Sequence, residues 1–209
     1  MSNPVIHMSN GGIPTLPRGR LAFIVDATGS RGPTWDIAVR VQAGMFREAA
    51  PIGKLDVQLV FFGGNKCRKT QWVSSGEQLA QSMGKIQCEG GLTQIAPALQ
   101  HVLAEHAKAP IRAVTYIGDC CEEEIDLLAG LADECGSQGI PIFVFQEGRD
   151  SKVRKVFRLL ALRSGGQYFE FNPETPHAVD LLSEQLNAVA KLAVGDGSAI
   201  AAITHKKGE

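Results

Sequence analysis

The segment Leu21-Ala-Phe-Ile-Val-Asp26-Ala-Thr28-Gly-Ser30 decides how the rest of the chain is read. Five apolar residues in a row predict a strand buried on both faces, as in a parallel sheet. The segment then turns polar, placing a carboxylate and two hydroxyls at alternate positions on the loop that leaves the strand. Gly29 and Gly32 let that loop turn tightly. Pro33 suits the first turn of a following helix, where an amide has no partner in any case. One carboxylate and two hydroxyls make a small all-oxygen cluster, and oxygen donors suit a hard cation such as Mg2+.

Working outward, the 209 residues suffice for one domain with a real core. Hydrophobic residues make up 44% and charged residues 21%, as in ordinary globular proteins. A net charge of -1 gives no basic surface for nucleic acid or membrane. The apolar runs are too short to span a bilayer, and residues 1–8 lack the pattern of a signal peptide. The five cysteines show no metal-like spacing. Reduced thiols in a cytoplasm are the simplest account, with a vicinal Cys120–Cys121 disulfide as the alternative.

Residues 1–19, with three prolines and three glycines, read as an N-terminal arm. Strands are predicted at 20–26, 55–62, 67–73, 111–117, 140–145 and 167–171. Helical spacing is predicted over 33–49, 77–83, from Ile95 to His106, 122–135, 151–163 and 176–194. The Gly63-Gly64-Asn65 turn makes the third strand an antiparallel neighbour of the second. Residues 20–194 form the domain and 195–209 a tail, in which Ala199 to Thr204 is a candidate strand. Alternating strands and helices predict an α/β doubly wound, Rossmann-like fold: a six-stranded, mostly parallel sheet with one antiparallel edge strand and helices on both faces. Ligands in such sheets bind beyond the C-terminal strand ends, where the winding reverses. Two strands end in an aspartate, Asp26 and Asp119, and the glycine-rich loop Cys88–Gln94 brings Thr93.

These motifs resemble the von Willebrand factor A domain, of the stand-alone bacterial type, and its metal-ion-dependent adhesion site (MIDAS). The family's Asp-x-Ser-x-Ser stands here as Asp26-Ala-Thr28-Gly-Ser30, its loop threonine as Gly90-Gly91-Leu92-Thr93, and its strand-end aspartate as Gly118-Asp119-Cys120. Ser164-Gly-Gly-Gln-Tyr168-Phe169 resembles the family's glycine pair leading into a strand. The resemblance spans residues 20 to about 193. It implies that Thr28 and Ser30 bind a metal directly. It implies that Thr93 does so directly or through water, and that Asp26 and Asp119 act mostly through coordinated water. The implied ion is Mg2+, with Mn2+ or Ca2+ as substitutes, and the implied occupant of its open position is an Asp or Glu of a protein partner. Similar bacterial domains work beside ATPases or other operon-encoded partners. Three positions depart from the family pattern: Thr28 replaces serine, Gln94 stands where an acid is common, and Cys120 replaces glycine.

Simpler readings stand beside these. Asp26, Thr28 and Ser30 could cap the following helix, but capping explains nothing about Thr93 or Asp119. Glu122-Glu123-Glu124 reads as a first turn favoured by the helix dipole, His106 as packing, and Trp35 and Trp72 as core or surface packing. No Ser–His or Cys–His pairing suggests covalent catalysis, so the sequence favours a non-enzymatic, metal-dependent protein-binding module. The alternatives are a haloacid-dehalogenase-type phosphohydrolase, which wants an aspartate at position 28, and a degenerate scaffold that binds no metal.

Overall fold

A computed structural model describes residues 18–36, 39, 55–175 and 177–195, with the side chain of Val179 excepted. Six strands form the sheet: β1 (Gly19–Asp26), β2 (Leu55–Gly63), β3 (Lys66–Lys69), β4 (Ala113–Gly118), β5 (Ile142–Glu147) and β6 (Tyr168–Phe171). Their order is β3-β2-β1-β4-β5-β6. All neighbours are parallel except β2 and β3, joined by the two-residue loop Gly64-Asn65. Both loop residues have positive φ, 60° and 56°, which suits a tight hairpin twisting with its strands.

Five α-helices lie wholly within the described residues: α1 (Gly76–Met83), α2 (Ile95–His106), α3 (Ile125–Ser137), α4 (Ser151–Ser164) and α5 (Ala178–Ala193). Because side chains alternate along a strand, β1 feeds two cores. Leu21, Phe23 and Val25 pack with Leu79 and Met83 of α1 and Leu182, Leu186 and Val189 of α5. Ala22 and Ile24 share the other core with residues of α2, α3 and α4, such as Leu99, Leu128 and Phe157. The result is three layers, helices over both faces of a buried sheet. The winding reverses between β1 and β4, so the loops after Asp26 and Gly118 face one crevice.

Several boundaries differ from the sequence expectation. The segment after β1 begins as a 3-10 turn, Gly29–Thr34, earlier than the helix expected from Pro33. The remainder of that helix, with Ile37, Ala38, Val41, Met45 and Phe46, lies outside the described residues, as do residues 1–17, Pro176 and Ala199 to Thr204. β3 stops at Lys69, and Val73 only bridges to Val57. α3 starts at Ile125 rather than Glu122, and Ile125, expected inward, is 50% exposed. Trp35 is buried, whereas Trp72 donates its indole N–H to Glu105. All five cysteines are free thiols.

Candidate metal centre

The first loop is clamped between two neighbours. Ala27 N–H donates to the Phe62 carbonyl at 2.9 Å, and Glu89 N–H donates to the Ala27 carbonyl at 3.0 Å. Gly63 permits this approach, since a Cβ there would lie 2.5 Å from the Ala27 oxygen. Within the loop, Thr28 N–H donates to Asp26 Oδ1 at 2.8 Å, and the Thr28 and Ser30 hydroxyl oxygens lie 3.2 Å apart. Asp26 is fully buried and Thr28 nearly so, while Ser30 reaches solvent.

The glycine-rich loop is fastened to the first loop and to the β2–β3 hairpin. Glu89 bridges to Thr28, and Gly90 packs on Gly29. Leu92 N–H donates to Asn65 Oδ1 at 2.7 Å, and Gly91, at φ +152°, leaves room for that asparagine. Buried Thr93 donates its hydroxyl proton to Glu122 Oε2 at 2.8 Å. Its oxygen accepts from Glu122 N–H at 3.3 Å, and its own N–H reaches Glu122 Oε2 at 3.1 Å. A hydroxyl has two lone pairs, so one remains for another donor or a cation. The Glu123 carboxylate accepts from the Ile95 and Ala96 amides, the latter at 2.8 Å, at the start of α2. Gln94, the N-cap residue, makes no side-chain capping bond. Glu122 and Glu123 therefore serve α2 from another loop, not the first turn of α3.

The third loop carries Asp119. Gly118 precedes it closely against the Tyr116 hydroxyl, where a Cβ would clash. The Asp119 charge acts on Asp26, whose pKa rises from 3.8 to about 6. Burial is the main cause and Asp119 adds to it, against the hydrogen bonds from Thr28 and the charge of Arg31. Arg31, also fully buried, is ion-paired with Glu147 at the end of β5. Sequence reading missed it, because an arginine between Ser30 and Gly32 in a loop reads as solvated. Cys120 donates its S–H to Glu122 at 3.2 Å. Burial first, then Glu122, pushes its thiol up to about 12, and burial pushes Cys121 up to about 11.

The structure thus joins Asp26, Thr28 and Ser30 directly. It sets Asp119 in electrostatic reach of Asp26, and it ties Thr93 to the Asp119 loop through Glu122. No protein-family model matches the chain. No curated protein sequence is recognisably similar to it. Solved structures are informative. The VWA domain of SpRpn10 superposes with a TM-score of 0.65 at 12% identity, covering 80% of this chain and 95% of that one.

The fold is that of a von Willebrand factor A domain. BatB from Bacteroides thetaiotaomicron shares it, with a TM-score of 0.63, 18% identity and coverage of 84% and 98%. So does proximal thread matrix protein 1 from the mussel byssus, solved with a zinc-occupied MIDAS motif. It has a TM-score of 0.62, 16% identity and coverage of 85% of this chain and 46% of that one.

Within this VWA fold, the chemistry of the convergent loops is specific. Asp26 Oδ2 and Asp119 Oδ1 are both buried without a hydrogen-bond partner. A buried carboxylate oxygen left unpaired is unfavourable unless a positive group meets it. The described residues contain no group of three or more His, Cys, Asp or Glu side chains suited to a metal. The nearby donors are instead two carboxylates and the hydroxyls of Thr28, Ser30 and Thr93, which fit a hard divalent cation. Among the described residues no helix is long and apolar enough to cross a membrane.

Proposed function

We propose that this chain is a non-enzymatic, metal-dependent protein-binding module. Asp26, Thr28, Ser30, Thr93 and Asp119 hold one divalent cation, Mg2+ in the first instance. The observation that carries the reading is the pair of orphaned, buried carboxylate oxygens on Asp26 and Asp119, beside the Thr28 and Ser30 hydroxyls. The bound cation supplies a Lewis-acidic position for a carboxylate from outside. Neutral hydroxyls leave much of its charge uncompensated, which favours an Asp or Glu of a protein partner over a neutral group. The chain's own part is to hold the donors in place: Thr28 N–H fixes Asp26, and Glu122 fixes Thr93 by accepting a hydrogen bond from its hydroxyl. The zinc-occupied MIDAS of the mussel protein supports a divalent ion at this position of the fold. A cytoplasmic setting and a partner such as an operon-encoded ATPase complete the reading.

Two measurements test it. Titrating Mg2+, Mn2+, Ca2+ and Zn2+ against wild type and Asp26→Ala should raise the melting temperature of wild type alone, because a ligand that binds only the native state stabilises it. Flat curves for all four ions sink the metal site. Capture from a lysate should then yield proteins retained in Mg2+ and released by EDTA. Identical capture by Asp26→Ala sinks the binding role.

A further inference from the structure

The tops of α3 and α4 leave an apolar groove beside the metal loops. Val153, Val156, Leu159, Cys121 and Ile125 line a volume of about 490 Å3. Leu128, Leu131, Ala132 and Cys135 of α3 are buried, yet Ile125 stays 50% exposed beside the groove. Lys152 and Lys155 stand along its edge, one helical turn apart, both exposed. Neither makes an ion pair among the described residues, whereas Arg154 between them is paired with Glu170. Glu122 and Glu123 line the opposite end, but their carboxylates already accept from Thr93, Ile95 and Ala96. Of the groove's charged side chains, the two lysines are therefore the ones left without a hydrogen-bond or ion-pair partner among the described residues. The groove's acidic end is also the support of Thr93, so groove and metal loops form one surface.

We propose that this groove receives the partner segment flanking the carboxylate held at the metal. The segment is acidic and apolar: one Asp or Glu at the cation, an aliphatic or aromatic side chain in the groove, and a second acid over Lys152 and Lys155. Two positive poles with an apolar floor between them favour that pattern and disfavour a basic or wholly polar segment. The inference rests on the metal-dependent reading above, and its test separates the two.

A random peptide library displayed on phage is selected on the full chain in Mg2+, and enriched peptides are synthesised for fluorescence anisotropy. Enriched sequences should combine two acids with an apolar residue. Affinity should fall about tenfold in a triple variant, Ile125→Ser with Lys152→Glu and Lys155→Glu, whose Mg2+ melting shift is unchanged. All three residues are solvent-exposed, so the variant keeps the fold. Equal affinity for wild type and triple variant overturns the proposal. So does enrichment without an apolar residue, or no enrichment while Mg2+ still raises the melting temperature. Peptides that bind equally in EDTA yet weaken in the triple variant support the groove and sink the metal reading alone.

Discussion

Replacing Asp26 by Asn should stabilise the metal-free protein at neutral pH. Burial and the Asp119 charge raise the Asp26 pKa from 3.8 to about 6. A carboxyl whose folded pKa lies above its unfolded value favours folding while protonated. Its contribution is full below the unfolded value and is lost as pH rises through about 6. The shift of roughly two units is worth about 3 kcal/mol at about 1.4 kcal/mol per unit. Asn imitates the protonated form, and its oxygen can still accept from Thr28 N–H. In EDTA at about pH 8 the variant should melt about 6–12 °C above wild type, using about 2–4 °C per kcal/mol for a chain of this size. At about pH 5 the gap should shrink to about half. Saturating Mg2+ should close or reverse it, since the variant lacks one of the two carboxylates that attract the cation. Scanning calorimetry in each buffer measures all three. A variant no more stable than wild type at about pH 8 in EDTA, or a gap that ignores pH, refutes the electrostatic account of the site.

The remaining expectations concern the supports around Asp26. Thr93→Val keeps the shape but removes the hydroxyl that Glu122 holds; stability should fall by about 1 kcal/mol and Mg2+ affinity by about 10–100-fold, read by denaturation and calorimetric titration. Arg31→Ala breaks a buried ion pair with Glu147 and should cost about 3–5 kcal/mol in urea denaturation, while Arg31→Met combined with Glu147→Gln should recover most of it. Hydrogen bonds from Lys108 first, and then from Trp72, hold the Glu105 carboxyl down at about 2. Its stabilisation is therefore present above about pH 4.5 and is lost as pH falls through about 2. Since Lys108 is largely exposed, the advantage of wild type over Glu105→Gln should be only about 1 kcal/mol, vanishing in acid denaturation series near that lower pH.

Most of the fold was legible because its signals are local. Unbroken apolar runs such as Leu21 to Val25 announce strands buried on both faces, and Gly64-Asn65 announces a hairpin. Asp26 and the aspartate after β4 could be set at strand ends for the same reason, and the sheet order then turns their loops toward one crevice. What escaped depends on distant partners. Periodicity assigned Ile125 to the core, but the helix starts three residues later than expected and the side chain lies half outside. The acidic run 122–124 suggested a dipole effect within its own helix. Only the packed structure reveals that Glu123 caps α2 and Glu122 grips Thr93. Arg31 carries no sequence sign of burial, since its counter-charge, Glu147, arrives from another strand.

These distant bonds share a physical consequence. Each loop around the crevice is held by a polar group belonging to another. Ala27 is fixed by Phe62 and Glu89, the glycine-rich loop by Asn65, and Thr93 by Glu122. None of these bonds uses the two oxygens left orphaned on Asp26 and Asp119. The loops are thus ordered by the protein alone, and the entropy of arranging them is met in folding, not in binding. What folding leaves unresolved is electrostatic: two carboxylates near each other, one fully buried, whose repulsion Arg31, ion-paired with Glu147, offsets only in part. A cation bound there would gain from that repulsion without reorganising the loops. Loosening a support such as the Glu122–Thr93 bond should therefore weaken metal binding more than it weakens the fold.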